Sequence, residues 1–392
     1  MAGIKELPSH ADLKPFNHAA AGHEGTLSDP DGMLFIKPCT QQEIDFYEKA
    51  REHPDFAELM PEYLGTLSLN PTGLADDLEK QVTNEITQQA AAGPSTTSGG
   101  STWQPNKNRK LVTDKSVVLE NTTYGYKKPN ILDAKLGIRL WADDAPLEKR
   151  QRFDEISRTT TSGSHGFRIA GMRVYKGSDD PADLDDEGFK VYDKNFGRFE
   201  VNGENLVDAF RKFIFNPRAG IDEDLGKAVA EAFLVDLKKV EKVLSANETR
   251  MYSASLLFTF EGDGEALRSA IEKANEEHDA LEKVESNKDV DTDGSEKTDG
   301  AVASSDAESS VKGKLPDVSG PIEGDLKVIE MTGSKLPDDD DDEDVEMTDV
   351  PKIYSLKLID FAHAEWVPGQ GPDENNLFGI RNLIKIFEEL VK

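Results

Sequence analysis

The stretch Pro129-Asn-Ile-Leu-Asp133-Ala-Lys135-Leu-Gly137 carries more of the fold than any other part of the chain. A proline and a glycine bound it, and the interior reads as one strand. Successive side chains of a strand point to opposite faces, so Ile131, Asp133 and Lys135 share one face. Leu132, Ala134 and Leu136 then face a core. An acid and a base fixed on one face of a half-buried strand need a reason. A cross-strand ion pair or a solvated face supplies one, a ligand another, and strand geometry leaves them open.

Working outward, the ordered sequence falls into three blocks. In 14–87, Met33–Lys37 reads as a strand that must end by Pro38. Thr40 and Glu43 form a capping-box start for a helix through about Arg51, and Tyr63–Leu69 is a second strand. The block 111–275 opens with the strand Ser116–Glu120 and continues through Pro129–Gly137. A polar, basic helix over Pro146–Ser157 and a strand over Arg168–Tyr175 follow. Glu204–Phe215 and Asp222–Leu244 are amphipathic helices, the second with Leu225, Val229, Phe233, Leu237, Val240 and Leu244 on one core face. A single strand is expected over Met251–Phe260. The last block, 351–392, holds a strand over Tyr354–Asp360 and a C-terminal helix from about Glu374. Strands early and helices late predict an α+β, two-lobed architecture, with lobes at 14–125 and 126–392.

Composition shapes the rest. The 392 residues carry a net charge of −30, with 36% hydrophobic and 31% charged residues, so part of the chain is expected to be disordered. Residues 276–350 hold 25 acids against 7 lysines, a net −18 that leaves −12 for the other 317 residues. That segment, ending in the run Asp338–Asp344, reads as a disordered insertion: a soluble spacer, or an interaction tail for basic partners such as histones or transcription regulators. A second low-complexity insertion spans about 88–110. The Lys107-Asn-Arg-Lys110 at its end is a short hint of nuclear import. One cysteine, Cys39, excludes an intramolecular disulfide framework and fits a reducing compartment. No stretch approaches 18 uncharged apolar residues, so no membrane span is expected, and the first residues lack a secretory hydrophobic region. The net charge argues against a general nucleic-acid binder.

Three short segments bear chemistry. In Leu356-Lys-Leu-Ile-Asp360-Phe-Ala-His363, apolar residues lead to an aspartate at a strand's end. Phosphoryl-transfer enzymes hold a magnesium ligand at such a place, and a turn-forming aspartate fits equally. Lys37 closes the run Leu34-Phe-Ile after the glycine-bearing turn 18–25, where a lysine can reach nucleotide phosphates. The turn is not G-x-G-x-x-G, and no Walker G-x-x-x-x-G-K occurs. Asp133 and Lys135 supply the third segment. Glycine turn, lysine strand, helix, acidic hinge, strand-borne aspartate and late Asp-Phe follow the order of parts in a two-lobed kinase. The H-R-D-x-x-x-x-N loop of protein kinases is missing, which argues against a protein hydroxyl as acceptor.

Pro129-x-x-x-Asp133-x-Lys135-x-Gly137 resembles the P-x-x-x-D-x-K-x-G signature of the inositol polyphosphate kinase family. Ser253-Ala-Ser-Leu-Leu257 is similar to its S-S-L-L element, with Ala254 as a departure. Ile359-Asp-Phe-Ala-His363 resembles I-D-F-A-H, and Gly166–Tyr175 and Gly371–Gly379 resemble two further segments. The likeness covers about 16–392 outside the insertions. It implies a two-lobed kinase-like fold, with an antiparallel-sheet N-lobe and a mixed C-lobe. It also implies ATP- and Mg²⁺-dependent transfer to hydroxyls of inositol polyphosphates. Lys37 would bind ATP phosphates, the main chain of Glu120 and Thr122 adenine, Asp133 the ribose, and Asp360 the magnesium. Lys135 would meet the substrate phosphates and the reacting centre, with His363 facing the inositol ring. Residence in nucleus and cytoplasm is the family expectation.

In the 146–157 helix, Lys149 and Arg152 are three apart and share a face, while Arg150 lies nearly perpendicular. With Lys135 they would form a basic pocket for a polyphosphorylated ring, substrate helix and all; an ordinary surface helix is the alternative. Leu136–Lys149 and Thr159–Gly166 look most like the fungal multikinase branch, acting on tris- to tetrakis- and pentakisphosphates. The inositol hexakisphosphate kinase and inositol trisphosphate 3-kinase branches are the alternatives. A scaffold for transcription regulators acting through the acidic insertion is the alternative of another class.

Overall fold

The computed structural model of the chain describes residues 13–16, 25–68, 115–288 and 352–392. The first lobe is an antiparallel sheet of β1 (Lys14–Pro15), β2 (Leu27–Ser28), β3 (Leu34–Pro38), β4 (Tyr63–Ser68) and β5 (Lys115–Glu120), in the order β1-β2-β3-β5-β4. Between β3 and β4 lie α1 (Gln41–Ala50) and α2 (Pro54–Ala57). The Thr40 hydroxyl caps α1 by accepting from the Glu43 N–H at 3.2 Å, as the sequence predicts.

The second lobe begins with β6 (Pro129–Leu136), α3 (Leu147–Thr159), α4 (Thr161–His165), β7 (Phe167–Tyr175) and β8 (Phe189–Tyr192). It continues with α5 (Leu206–Ile214), α6 (Glu223–Ala246), β9 (Thr249–Met251), β10 (Ser255–Glu261) and α7 (Gly264–Lys288). The chain ends with β11 (Tyr354–Ile359), β12 (Ala364–Trp366) and α8 (Glu374–Leu390). The main sheet runs β11-β10-β6-β7-β8, antiparallel at every pairing, and β9 pairs with β12. The whole is α+β.

The opening stretch lies at the centre of this sheet. Leu132, Ala134 and Leu136 are fully buried in the core, as their face predicts. That core is closed by α6 and α8, which pack on one another. Phe210, Phe233, Phe258 and Phe387 are fully buried between sheet and helices, and Phe258 stacks on Phe387 at 5.4 Å. Each such ring contributes about 1.5–3 kcal/mol of burial. All six residues of the α6 stripe are buried.

Two expectations are corrected. The single strand over Met251–Phe260 is two strands belonging to different sheets, broken where Ser253 adopts a left-handed backbone, φ 62°. The acidic segment expected to be disordered from 276 is helical as far as Lys288, because α7 has a buried stripe of Leu267, Ala270, Ile271 and Ala274 to nucleate on. The rest of that segment, the 88–110 insertion and the glycine turn up to residue 24 lie outside the described residues.

Candidate active site

Between the lobes runs an open cleft. Phe35 and Leu119 from the first lobe and Ile131, Leu257 and Ile359 from the second give it apolar walls suited to a flat ring. Glu120, Asn121, Thr122 and Thr123 form its hinge side, and Lys37, Asp133 and Asp360 its polar end. The Glu120 N–H already donates to the Glu62 carbonyl at 3.0 Å. A ligand at the hinge is therefore left the Glu120 carbonyl and the main chain of Thr122. Asp133 is buried, on the same face as Ile131 and Lys135.

The polar end holds four charges in a row. Lys37 Nζ donates to Glu43 Oε1 and to Asp360 Oδ1, both at 2.8 Å. Asp360 Oδ2 lies 3.5 Å from Lys135 Nζ, which donates to the Ser253 carbonyl at 2.7 Å. Burial alone would lower the Lys37 pKa, but Asp360 and Glu43 outweigh it and hold the ammonium well above the ordinary lysine value. Lys37 is thus a fixed cation although buried. Asp360 sits at the end of β11 with φ 68°, a conformation aspartate tolerates better than most residues. The turn aims its carboxylate back between the two lysines while Phe361 enters the core and stacks on Phe46 of α1 at 4.8 Å.

Glu43 escaped the sequence reading as a site residue. In a capping box its carboxylate would reach back to the N-cap amide. Here it pairs with Lys37 instead and accepts the Phe361 N–H at 3.3 Å. Its only sequence signal is a position in the first turn of the helix that follows the lysine strand.

Lys149 Nζ of α3 lies 3.2 Å from His363 Nε2. Burial and Lys149 lower the His363 pKa, outweighing Asp144 and Glu43, so the ring is neutral near pH 7. Arg152 is exposed, with its guanidinium 5.2 Å from the Phe153 ring centroid. Lys149 flanks the same ring at 5.8 Å. Arg150 turns away, as expected, donating to the Ala145 carbonyl and stacking over Trp141.

Among the described residues no three His, Cys, Asp or Glu converge as a metal cage. Asp360 offers its carboxylate, and the Ser255 hydroxyl, one strand position from the Asp360 turn in register, is buried without a hydrogen-bond partner. This donor set fits Mg²⁺, which takes one or two carboxylates together with substrate phosphates and water.

A two-lobed cleft with a lysine–glutamate pair and a late strand-borne aspartate defines a phosphotransferase of the kinase type. Residues 116–388 match the family model described as inositol polyphosphate kinase. The chain is 32% identical over 399 aligned residues to the inositol polyphosphate multikinase of Saccharomyces cerevisiae, covering 96% of this chain and 98% of that protein. It is 28% identical to inositol hexakisphosphate kinase 1 of Rattus norvegicus, over 73% of this chain and 53% of that one. The crystal structure of an inositol phosphate multikinase from Saccharomyces cerevisiae, in complex with ADP and Mn²⁺, superposes with a TM-score of 0.54 and 27% identity, covering 92% of this chain and all of that one. The chain belongs to the inositol polyphosphate kinase family.

Proposed function

We propose that the protein is a multikinase, transferring the γ-phosphoryl group of ATP to hydroxyls of soluble inositol tris-, tetrakis- and pentakisphosphates. The observation that carries this reading is the row Lys37–Asp360–Lys135, one carboxylate between two lysines, which supports a nucleotide-side and an acceptor-side cation. End-to-end similarity to a multikinase, against partial coverage of a hexakisphosphate kinase, supports the branch.

The Glu120 carbonyl and Thr122 main chain hold adenine, and Asp133 takes the ribose hydroxyls. Lys37, oriented by Glu43, binds the ATP phosphates. Asp360 holds Mg²⁺, which when bound neutralises phosphate charge in the transition state. Lys135 steadies the phosphoryl group as it passes to the acceptor, while Lys149 and the neutral His363 receive phosphates and a ring hydroxyl; Arg152 reaches the substrate only from the rim. Positioning and charge neutralisation dominate, with little demand for a strong base.

The test incubates purified protein with ATP and Mg²⁺ against the tris-, tetrakis-, pentakis- and hexakisphosphates, resolving products by chromatography. Stepwise conversion of the trisphosphate to higher phosphates is expected. Exclusive use of the hexakisphosphate would sink the reading.

A further inference from the structure

Ser253 is the corner at which the chain leaves β9, paired with β12, and enters β10, which lies between β6 and β11. Its φ of 62° is costly for any residue but glycine. Two bonds accompany that conformation. The Ser253 hydroxyl donates to the Leu140 carbonyl at 2.8 Å, and the Ser253 carbonyl accepts from Lys135 Nζ at 2.7 Å. The neighbours extend the bracket: the Ala254 carbonyl accepts the Leu136 N–H at 2.8 Å, and the Tyr252 N–H donates to the His363 carbonyl at 3.1 Å. Three consecutive residues therefore tie the Lys135 strand, the His363 loop and the connector that leads from Leu140 to α3.

A lysine ammonium has three donors on a flexible stem. Left alone beside a carboxylate, it closes to the 2.7–2.9 Å of a charge-assisted hydrogen bond. Lys135 stands off from Asp360 at 3.5 Å while bonding Ser253 at 2.7 Å. The backbone carbonyl restrains it, so Lys135 is held short of a full charge-assisted bond to Asp360 and keeps a donor for phosphate.

We propose that Ser253 is a positioning residue for phosphoryl transfer: its hydroxyl, anchored on Leu140, locks the left-handed corner whose carbonyl holds Lys135 off Asp360. The inference rests on the reading of Lys135 and Asp360 as the transfer pair. A glycine would adopt this corner without strain; what serine adds is the anchor.

Ser253→Gly removes the anchor and leaves the corner accessible, so it tests the hydroxyl without backbone strain. Lys135 is expected to close on Asp360. Turnover of inositol trisphosphate should fall about tenfold, and the Mg²⁺ concentration giving half-maximal strengthening of ATP binding should rise severalfold. ATP affinity without Mg²⁺ and Tm should match the parent. Unchanged turnover together with unchanged Mg²⁺ dependence overturns the proposal. So does a loss of metal-free ATP binding in step with Tm, which would make the corner merely structural. The titrations need no inositol phosphate: a parent protein inactive on every inositol phosphate would refute the substrate reading, and the Mg²⁺ dependence would still decide the role of Ser253.

Discussion

Replacing Asp360 with asparagine separates the carboxylate's charge from the conformation of its backbone. Asparagine also tolerates φ 68°, so the turn survives and only the charge is lost. With an effective dielectric of about 20, unit charges at the two lysine distances attract by about 5–6 kcal/mol before desolvation is subtracted. The net worth of a hydrogen bond to a charged group is about 1.5–3 kcal/mol. Asp360 accepts such a bond from Lys37 at 2.8 Å and makes a looser contact with Lys135 at 3.5 Å. The amide keeps one acceptor oxygen, so the expected loss is about 2–3 kcal/mol, or about 5–10 °C in Tm. The sign is fixed by the neighbours: two lysines and one remaining glutamate leave a net cation when the carboxylate goes. Asp360→Ala should lose about 1 kcal/mol more, because alanine is strained in the left-handed region. Turnover should fall about a thousandfold in both variants if Asp360 holds the metal as proposed, since a bound metal supplies several kcal/mol of transition-state charge stabilisation. Thermal unfolding of the nucleotide-free protein and phosphate transfer from labelled ATP measure the two effects. A variant as stable as its parent, or one retaining a tenth of its turnover, refutes the reasoning.

Glu43→Gln should leave the fold intact but lower kcat/KM for ATP about 10–100-fold, because Lys37 loses the partner that orients it; steady-state kinetics with ATP varied checks this. Lys149→Ala should raise the KM for inositol trisphosphate about tenfold with that for ATP unchanged, and Arg152→Ala, at the exposed rim, less than threefold. Equal losses from the two variants would remove the distinction between pocket and rim. The lowered His363 pKa makes the unfolded chain bind this proton more readily than the folded one. Its contribution is therefore intact above the unfolded value of about 6.5 and is lost as pH falls from there through the lower folded value. His363→Gln should flatten the fall in Tm between pH 7.5 and pH 5.5 relative to the parent, and equal slopes would contradict it.

The sequence made some of this site legible for identifiable reasons. Alternation alone placed Asp133 and Lys135 on one face, because the strand side-chain period is two and the opposite face is uniformly apolar. The α6 stripe was equally plain. Glu43 was not, since its partners, Lys37 and the Phe361 amide, are brought to it by tertiary packing and its local role as a capping residue offered a sufficient account. The corner at Ser253 was hidden because Ser253, Ala254 and Ser255 are small residues lying between strand-forming Met251-Tyr252 and Leu256–Phe260, and serine does not announce a positive φ as glycine would. Composition misled in α7, where acidic residues masked a short helical core stripe.

Net charge is a poor guide to what this cleft can bind. Exposed charges farther apart than about 8 Å are largely screened at physiological salt, so the net −18 of residues 276–350 bears on the cleft only where it approaches that closely. What a phosphate meets is local. The row Lys37, Glu43, Asp360 and Lys135 sums to zero and Asp133 at the same end is offset by Arg168, a balance that lets Lys37 remain charged although buried. Lys149 adds a cation with no carboxylate partner among the described residues, and its neighbour His363 is uncharged near neutral pH. On the proposed roles, the nucleotide side is balanced until a metal and its phosphates arrive together, whereas the acceptor side is already cationic. An anionic acceptor is drawn to the half of the cleft where no exchange of partners is needed, and the sequence's overall acidity leaves that asymmetry untouched.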